Sequence, residues 1–363
     1  MREAAGKQKE GRIILNQQIQ IGRHIISEKS EVYIVAEMSA NHNMDYERAC
    51  AIIDAAADAG ANAVKIQTYT ADTITIDCND TAFWAHGLWE GMNLYQLYQK
   101  AYTPWEWQAD LIEYANRRNM DCFSSPFDFT AVDYLEKLNV PAYKIASYEI
   151  NDIPLIKKAA QTGKPIILST GMAHLEDIDL AVRTCKEAGN ENVILLKCVS
   201  AYPTPFEQMN LNVIPNMSQT FECLVGLSDH TLGTETAIAS VALGAKVIEK
   251  HLTLKREDGG VDSAFSMEAE EFAHMVQQVR NIEKALGNVT YELNQQQKEN
   301  RLSSRSLFVV KDIRKGEIFT QENIRSIRPG TGLHTKYYED ILGKTAKEDL
   351  KNGTPMKWTF VND

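Results

Sequence analysis

The stretch EVYIVAEMSANHN, residues 31–43, decides between the two folds that this chain could adopt, an open doubly wound sheet and a closed parallel barrel. It contains the nearly continuous apolar run Val32–Met38, which is typical of a strand buried on both faces of a parallel sheet. An open doubly wound sheet that binds a nucleotide usually follows its first strand with a glycine-rich phosphate loop. Here the strand runs instead into Asn41, His42 and Asn43, with neither GxGxxG nor GxxxxGK[ST]. This favours the second fold, a closed parallel barrel.

Further apolar runs follow the first one, and amphipathic helical patterns separate them. The predicted strands after the first are Ala63–Thr68, Asp121–Ser125, Ala142–Ser147, Pro165–Thr170, Val193–Cys198, Leu224–Asp229 and Val247–Leu252. The predicted helices include Tyr46–Ala59, Trp105–Arg118, Phe129–Leu138, Leu175–Ala188 and Thr236–Leu243. Eight strands with right-handed helical crossovers predict an α/β fold of the (β/α)8 TIM-barrel type. An open doubly wound sheet, which usually has fewer strands, is the alternative.

The length of 363 residues is enough for roughly two domains, and the composition changes near residue 290. We predict a TIM-barrel domain over residues 1–290 and a polar linker over residues 291–300. A small β-rich domain is predicted over residues 301–363, with strand-like runs at Arg305–Val310 and Met356–Val361.

The C-terminal part contains a weak internal repeat. The pattern D-[IL]-[RK]-x-G occurs at residues 312–316 and again at residues 349–353. Two similar turns suggest that this module is pseudo-symmetric.

Charge and composition limit the partners and the location. Lys plus Arg number 38 and Asp plus Glu 49, which gives a net charge of −11 and argues against nucleic acid or an anionic membrane as the main partner. Six cysteines without a CxxC pair indicate a reducing compartment. The N-terminus lacks the apolar core of a secretory signal, and no apolar run approaches the ~20 residues of a membrane span. We therefore expect a cytoplasmic protein.

Two segments leave alternatives open. The long insertion Asp77–Tyr102 contains Trp84, Trp89 and several tyrosines, and it either covers the barrel mouth or only staples a long loop. The first thirty residues, with Ile19–Ile21, either form a strand that closes the barrel bottom or remain a loose tail.

Barrel enzymes carry their catalytic groups at the C-terminal ends of the strands. Polar or ionisable residues stand at or just beyond the end of every predicted strand. In chain order they are Glu37; Lys65 and Gln67; Ser125; Lys144, Ser147 and Glu149; Ser169; Lys197, Ser200 and Tyr202; Ser228, Asp229 and His230; and Glu249, Lys250 and His251.

Four of these groups are lysines at positions that could point inward: Lys65, Lys144, Lys197 and Lys250. Burying an unpaired ammonium costs several kcal/mol, so each needs an anion nearby. Glutamates and aspartates at the same strand ends can neutralise some of them: Glu37, Glu149, Asp229 and Glu249. The remaining positive charge predicts a site for a multiply charged anion, phosphate or carboxylate, with nearby serine hydroxyls as further donors.

His230 and His251 end neighbouring strands of the predicted barrel. Two imidazoles on one rim can ligate a divalent metal, and oxygen ligands at the remaining positions favour Mn²⁺, Co²⁺ or Mg²⁺. The alternative is that both rings donate to loop carbonyls. Asp262, in Gly-Gly-Val-Asp, is either a turn former or a sugar contact. Arg328, in Arg-Pro-Gly, is either solvated or reaches the active site of a second subunit.

Taken together, these residues resemble a known family. The ordered motifs AEMSANHN, VKIQTY, SSPFD, YKIAS, ILSTGM, YPTP, GLSDHT and EKH are similar to those of the sialic acid synthases. The segments KDIRKGEIFTQENI, RPGTGL and LGK resemble their antifreeze-like (SAF) C-terminal domain. The resemblance covers roughly residues 30–361. Within the family, GLWEGMNLYQLYQKAYTPWEW and DGGVDSAFS are most similar to the pseudaminic acid synthases, with N-acetylneuraminate synthase, which uses N-acetylmannosamine, as the alternative.

The resemblance implies a transferase that condenses phosphoenolpyruvate with an N-acetylated amino sugar, here 2,4-diacetamido-2,4,6-trideoxy-L-altrose. It implies that phosphoenolpyruvate contacts Lys65, Ser125, Lys144, Ser147, Ser169, Ser228 and the position of Ser200. It implies that the sugar contacts Glu37, Gln67, Tyr202 and Asp262. His230 and His251 become the metal ligands. Arg328 reaches over from the partner of a domain-swapped homodimer.

One position departs from the family pattern. Ser200 stands where N-acetylneuraminate synthases have asparagine, which supports the subfamily assignment. For the chemistry, we take Glu149 as the candidate proton shuttle and either Glu37 or Glu149 as the carboxylate that stabilises an oxocarbenium-like C2.

Two other functions remain as alternatives. A Schiff-base aldolase would use one barrel lysine as the nucleophile and need no metal. A carbohydrate- or ice-binding module on an inert barrel would not need ionisable strand ends.

Overall fold

The computed structural model describes residues 16–362, and its strands follow the predicted order closely. The strands are β1 (Gln18–Ile21), β2 (His24–Ser27), β3 (Tyr33–Glu37), β4 (Ala63–Thr68), β5 (Asp121–Pro126), β6 (Tyr143–Ile145), β7 (Ile166–Ser169), β8 (Val193–Lys197), β9 (Leu224–Asp229), β10 (Val247–Thr253), β11 (Met267–Glu268), β12 (Ser306–Val309) and β13 (Ile324–Ile327). Strands β3 to β10 each pair in parallel with the next, and β10 also pairs with β3. The sheet is therefore a closed eight-stranded barrel.

Each barrel strand is followed by a helix. The helices are α1 (Tyr46–Asp58), α2 (Ala71–Ile74), α3 (Leu94–Ala101), α4 (Trp105–Arg117), α5 (Phe129–Lys137), α6 (Ile153–Ala160), α7 (Leu175–Glu187), α8 (Val213–Phe221), α9 (Glu235–Ala242), α10 (Ala269–Leu286), α11 (Gln295–Arg301) and α12 (Tyr338–Ile341). Helices α1 and α4 to α10 follow the eight barrel strands, which confirms the predicted TIM barrel. Within the described part of the chain, no helix combines the length and the apolar character that crossing a membrane requires.

Side chains alternate between two apolar clusters along each strand. On β3, Tyr33 and Val35 belong to a cluster inside the barrel, whereas Ile34 and Ala36 pack between the strands and the helices. The other strands alternate in the same way because successive strand residues point to opposite faces. Sequence parity therefore decides which polar group at a strand end faces the interior.

The hairpin β1–β2 closes the N-terminal end of the barrel. Ile19, Ile21 and Ile26 are fully buried in the interior cluster. Gly22 turns the hairpin with φ +53°, and a Cβ there would collide with the buried carboxylate of Asp121 at the start of β5. Of the two alternatives for this segment, the closing strand is correct for the described residues; residues 1–15 lie outside them.

The described chain divides into two compact units that meet at Gly287 and Asn288. In the second unit, β12 and β13 form an antiparallel pair over an apolar core that includes Leu307, Phe319 and Met356. Part of the stretch expected to be a linker, 291–300, lies in α11, whose N-cap Asn294 accepts from Gln297 N. The stretch 356–361 is a single 3-10 turn, Trp358–Phe360, and not the expected strand.

The two D-[IL]-[RK]-x-G motifs of the second unit lie side by side. The backbones of Ile313 and Leu350 exchange two hydrogen bonds of 2.8 Å. Asp312 Oδ1 accepts from Asn352 N at 2.8 Å, and Asp349 Oδ1 accepts from Lys315 N at 2.7 Å. Each motif thus uses its first residue to bind the fourth residue of the other, as expected of a pseudo-symmetric module.

Candidate active site

Two lysines enter the barrel interior near the C-terminal ends of the strands. Lys65 and Lys144 are almost completely buried. Lys65 Nζ lies 2.6 Å from Glu37 Oε2 and 3.8 Å from Glu249 Oε1, and it donates to Ser125 Oγ at 3.2 Å. Lys144 Nζ lies 3.6 Å from the same Glu249 Oε1. The interior therefore holds a compact charged cluster on β3, β4, β6 and β10.

The carboxylates of this cluster have different pKa values. Burial raises the pKa of Glu37 to about 7, although Lys65 opposes the shift. Burial acts on Glu249 too, but Lys144 and Lys65 together hold its pKa below the usual range. Ser228 Oγ also donates to Glu249 Oε1, at 3.1 Å. Glu249 is therefore the permanent counter-charge of both lysines, whereas Glu37 can exchange a proton near neutral pH.

The other two lysines do not join this cluster, and the predicted surplus of inward positive charge is wrong. Lys250 follows the inward Glu249 by one residue, so it points outward, where it lies 2.7 Å from Asp229 Oδ2. Lys197 has the outward parity of Val193 and Leu195, and its Nζ donates to Cys198 O at 2.9 Å. An anion site at this mouth depends on Lys65, Lys144 and neutral donors.

Neutral donors surround Gly171, just beyond β7. Gly171 N donates to Ser147 Oγ at 3.0 Å, and the buried hydroxyls of Ser169 and Ser200 have no hydrogen-bond partner among the described residues. A Cβ on Gly171 would lie 2.5 Å from Ser200 Oγ, 2.8 Å from Ser147 Oγ and 3.0 Å from Cys198 Sγ. The missing side chain keeps open a small polar cradle that an anion can fill. Sequence reasoning missed Gly171, although a glycine after a strand-end serine was a usable signal.

Gly171→Ala should raise the KM for the anionic substrate by about 10- to 100-fold, because the added methyl group would displace the serine hydroxyls from the anion. Each hydrogen bond from a hydroxyl to a charged group contributes about 1.5–3 kcal/mol of binding free energy. The backbone at Gly171 does not need positive φ, so the variant should fold normally. Steady-state kinetics with each substrate varied in turn checks this. An unchanged KM for the anion, or an equal rise for the second substrate, would contradict the assignment of the cradle.

The two imidazoles meet at the same rim. The ring centroids of His230 and His251 lie 5.2 Å apart. His230 Nδ1 lies 3.1 Å from Val199 O, which favours a hydrogen on Nδ1 and leaves Nε2 free to ligate. His251 Nδ1 is buried and has no hydrogen-bond partner among the described residues. Burial, with His230 and nearby lysines, lowers the pKa of His251 well below its usual range, so the ring is neutral, as a metal ligand must be.

These features fit a divalent ion held by two nitrogens. Within residues 16–362, no group of three or more His, Cys, Asp and Glu side chains converges to form a closed site. Catalytic metal sites leave coordination positions open to water or substrate, in contrast to closed structural sites. Phe265 packs against both rings, with centroid distances of 6.1 Å to His230 and 4.9 Å to His251. Cys198 Sγ lies 3.8 Å from His230 Nδ1. Sequence reasoning missed both Phe265 and Cys198.

The residues expected to touch a sugar form a second side of the mouth. Gln67 Nε2 donates to Glu37 Oε1 and to Ser39 Oγ, at 2.9 Å each. Ser39 Oγ in turn donates to Asp262 Oδ2. Tyr202 completes this side, with its ring centroid 4.5 Å from that of His230. The structure thus joins Glu37, Gln67 and Asp262 through Ser39, which sequence reasoning did not single out.

Comparison with known proteins places this geometry in a family. Residues 52–291 match the model of the NeuB family, and residues 304–362 match the SAF domain. The chain belongs to the NeuB family. It is 46% identical over 325 residues to the pseudaminic acid synthase of Helicobacter pylori, covering 89% of this chain and 96% of that one. It is 44% identical over 340 residues to the pseudaminic acid synthase of Campylobacter jejuni, covering 93% and 98%.

A solved structure agrees with this assignment. The N-acetylneuraminic acid synthetase of Leptospira borgpetersenii, crystallised with citrate, matches with a TM-score of 0.70 and 33% identity over 79% of this chain and 96% of that one. The expected family, the expected enzyme class of synthases and the SAF domain are therefore confirmed. Synthases of the NeuB family are generally metal-dependent, which agrees with the open two-imidazole site of this chain.

Glu149 lies beyond β6 on the rim of the NeuB-family barrel. Its Oε2 is buried and has no hydrogen-bond partner among the described residues, and burial raises its pKa to about 7, with Lys144 opposing the shift. A carboxyl group that exchanges its proton near neutral pH is suited to act as a general base or acid.

Arg328 directly follows β13 in the second unit. Its contact with a barrel stays a prediction.

Proposed function

We propose that this NeuB-family chain condenses phosphoenolpyruvate with 2,4-diacetamido-2,4,6-trideoxy-L-altrose to give pseudaminic acid and phosphate. One observation supports the reaction class above all others: two buried ammonium groups and unpartnered serine hydroxyls converge beside a pair of imidazoles. The choice of sugar is supported by 44–46% identity to pseudaminic acid synthases, against 33% to the N-acetylneuraminic acid synthetase.

In this proposal the anion and the sugar occupy neighbouring parts of the mouth, which meet at the ion pair of Lys65 and Glu37. Lys65 and Lys144 bind the phosphate and carboxylate, and the hydroxyls of Ser125, Ser147, Ser169, Ser200 and Ser228 lie along the same side. Glu37, Gln67, Tyr202 and Asp262 orient the sugar so that its aldehyde carbon faces C3 of phosphoenolpyruvate. Orienting two bound reactants in this way can lower the barrier by about 7–11 kcal/mol.

The bond changes then balance without a Schiff base. C3 of phosphoenolpyruvate forms a bond to the aldehyde carbon as the π bonds of both partners break, which leaves an alkoxide on the sugar and an oxocarbenium-like C2 that Glu37 stabilises. Water adds at C2 and gives one proton to Glu149, which passes it to the alkoxide. The C2 hydroxyl then gives its proton to the departing phosphate as the C2–O bond to phosphate breaks, so that the C2 carbonyl forms and phosphate is released. His230 and His251 would hold the divalent ion, Mn²⁺, Co²⁺ or Mg²⁺, which supplies Lewis-acid polarisation of the aldehyde oxygen.

Phosphate release from phosphoenolpyruvate, measured with each sugar offered separately, tests the proposal. The altrose should support turnover, and N-acetylmannosamine should be a much poorer substrate. Turnover with N-acetylmannosamine alone would replace the proposed sugar. Trapping of pyruvate on Lys144 or Lys197 by borohydride would replace the mechanism with that of an aldolase.

The rate should rise with pH through about 7, because Glu149 must be ionised to accept a proton. Glu149→Gln should be slower, and its rise should reflect one ionisation instead of two, since Glu37, whose pKa is also raised to about 7, must still ionise to stabilise C2. Glu37→Gln is the matched variant and should retain only the ionisation of Glu149. Profiles of kcat against pH for the three proteins check the assignment, and a rise as steep in Glu149→Gln as in the wild type contradicts the role of Glu149.

We further propose a domain-swapped homodimer in which Arg328 acts on the barrel of the other subunit. Arg328→Ala and Lys65→Met should each be nearly inactive alone. Mixed and exchanged, they should recover about a quarter of wild-type activity, because half of the dimers are mixed and each has one intact site. Sedimentation gives the oligomeric state. The absence of recovery in exchanged mixtures would show that Arg328 does not act in trans.

A cytoplasmic location is proposed from the cysteines. None of the six forms a disulfide in the structure, and five of them are buried. Free buried thiols are typical of proteins from a reducing compartment. The proposed substrates, phosphoenolpyruvate and an amino sugar, are consistent with that location.

A further inference from the structure

One aromatic residue of the insertion Asp77–Tyr102 reaches the sugar side of the mouth. The indole Nε1 of Trp89 donates to Val261 O at 2.9 Å, directly before Asp262. The ring centroid of Trp89 lies 5.7 Å from that of Tyr202. Trp89 therefore connects the insertion to Tyr202, a proposed sugar contact, and to the residue that precedes a second one, Asp262, which supports the view that the insertion covers the mouth.

Tyr202 connects the indole to the imidazoles. Its ring centroid lies 4.5 Å from that of His230 and 5.7 Å from that of Trp89. Among the described residues no direct ring contact joins Trp89 to His230 or His251, so the indole is one ring farther from the imidazoles than Tyr202 is. A sugar whose aldehyde lies at the imidazoles and whose body lies along Tyr202 would bring the end farthest from the reacting carbon to Trp89.

The indole offers this end of the sugar only apolar surface. Its single hydrogen-bond donor is already used by Val261, and an indole has no acceptor. The ring is half-buried and so keeps surface available for a ligand. A hydroxyl placed against it would lose water without gaining a partner, whereas a methyl group would not.

We propose that Trp89 is a specificity-determining residue that packs against the methyl-bearing C4 and C6 substituents of the sugar. This inference rests on the proposed function. In the altrose C4 carries an acetamido group and C6 is a methyl group, whereas N-acetylmannosamine carries hydroxyls on C4 and C6. Trp89 thus selects sugars whose far end is acetylated and deoxygenated.

The test compares Trp89→Ala with the wild type on both sugars by phosphate release. The variant should lose about 10- to 100-fold in kcat/KM for the altrose, the range expected for one apolar contact in a specificity pocket. Its kcat/KM for N-acetylmannosamine, or the inhibition constant if that sugar is not turned over, should change by less than about threefold. Trp89→Gln, which adds hydrogen-bonding groups, should shift the preference further toward N-acetylmannosamine.

Trp84→Ala is the matched control, since Trp84 belongs to the same insertion, is exposed and donates to Asn79 O. It should change neither sugar by more than about threefold, a range well below the specificity effect. Equal losses on both sugars in the Trp89 variants would mean that Trp89 only holds the insertion in place, and the inference would be overturned. A wild-type enzyme that releases no phosphate with the altrose would overturn the proposed function itself.

Discussion

Lys65→Met should lower kcat/KM for phosphoenolpyruvate by about 1,000-fold. Lys65 lies between Glu37 and Glu249, and all three side chains are almost completely buried. Removing a charge that binds an oppositely charged partner in a buried site costs about 2–5 kcal/mol of binding free energy, and each 1.4 kcal/mol is about tenfold in affinity. Without the ammonium, Glu37 and Glu249 repel both each other and the incoming anion. Steady-state kinetics and binding calorimetry with phosphoenolpyruvate measure the effect.

Two controls separate lost binding from lost folding. Lys65→Met with Glu37→Gln keeps the local charge balanced and should stay folded, but it should remain inactive. Lys250→Met with Asp229→Asn removes an equally buried pair that faces away from the barrel interior. This variant should lose stability without changing the KM for phosphoenolpyruvate by more than about twofold, because the pair lies on the opposite face of its strands from Ser228 and Glu249. If both lysines affected the KM equally, the inward location of the anion site would be wrong.

His251→Ala should lower kcat by about 1,000-fold or more, because one of two protein ligands is lost from an open metal site. Calorimetric titration of Mn²⁺ should show binding to the wild type and at least tenfold weaker binding to the variant, the size of effect typical of metal-site disruption. Chelation by EDTA should abolish phosphate release from the wild type, and added metal should restore it.

His42→Ala is the control for this prediction. His42 is also a buried histidine whose pKa is held well below its usual range, by burial, at about 4. Its ring contacts Thr103 and Trp107, so its loss should reduce stability but leave Mn²⁺ affinity unchanged. Full activity of the wild type in excess EDTA would remove the metal from the mechanism.

The barrel was predictable because its strands are buried on both faces. Strand β9 begins and ends where the apolar run predicted, at Leu224 and Asp229, and the other predicted strands overlap observed ones. A strand that is buried on both faces forms a continuous apolar run, so it can be recognised without an alternating pattern of polar and apolar residues. The linker prediction failed partly at α11 because Asn294 and Gln297 form a capping box, a local signal that polar composition conceals.

The strand ends that form the site could be predicted from the sequence, but the net charge of the side chains that face the barrel interior could not. Lys250 lies one residue from the inward Glu249, and one residue decides which face of a strand a side chain occupies. The roles of Gly171 and Trp89 depend on atoms brought together from distant segments. A glycine after a strand-end serine could have marked Gly171 as a position of interest, but not the collision of a methyl there with hydroxyls from other segments. No local pattern marks an indole whose hydrogen-bond partner lies 172 residues away.

The reciprocal contacts of the C-terminal unit have a consequence for how it can be divided. Asp312 and Asp349 each bind the backbone of the opposite motif, so a fragment with one motif lacks both of these contacts. Two copies of such a fragment could restore both by pairing with each other. The C-terminal unit therefore consists of two halves that stabilise each other within one polypeptide. If the chain is cut between residues 316 and 349, folding requires two fragments to associate and so depends on their concentration.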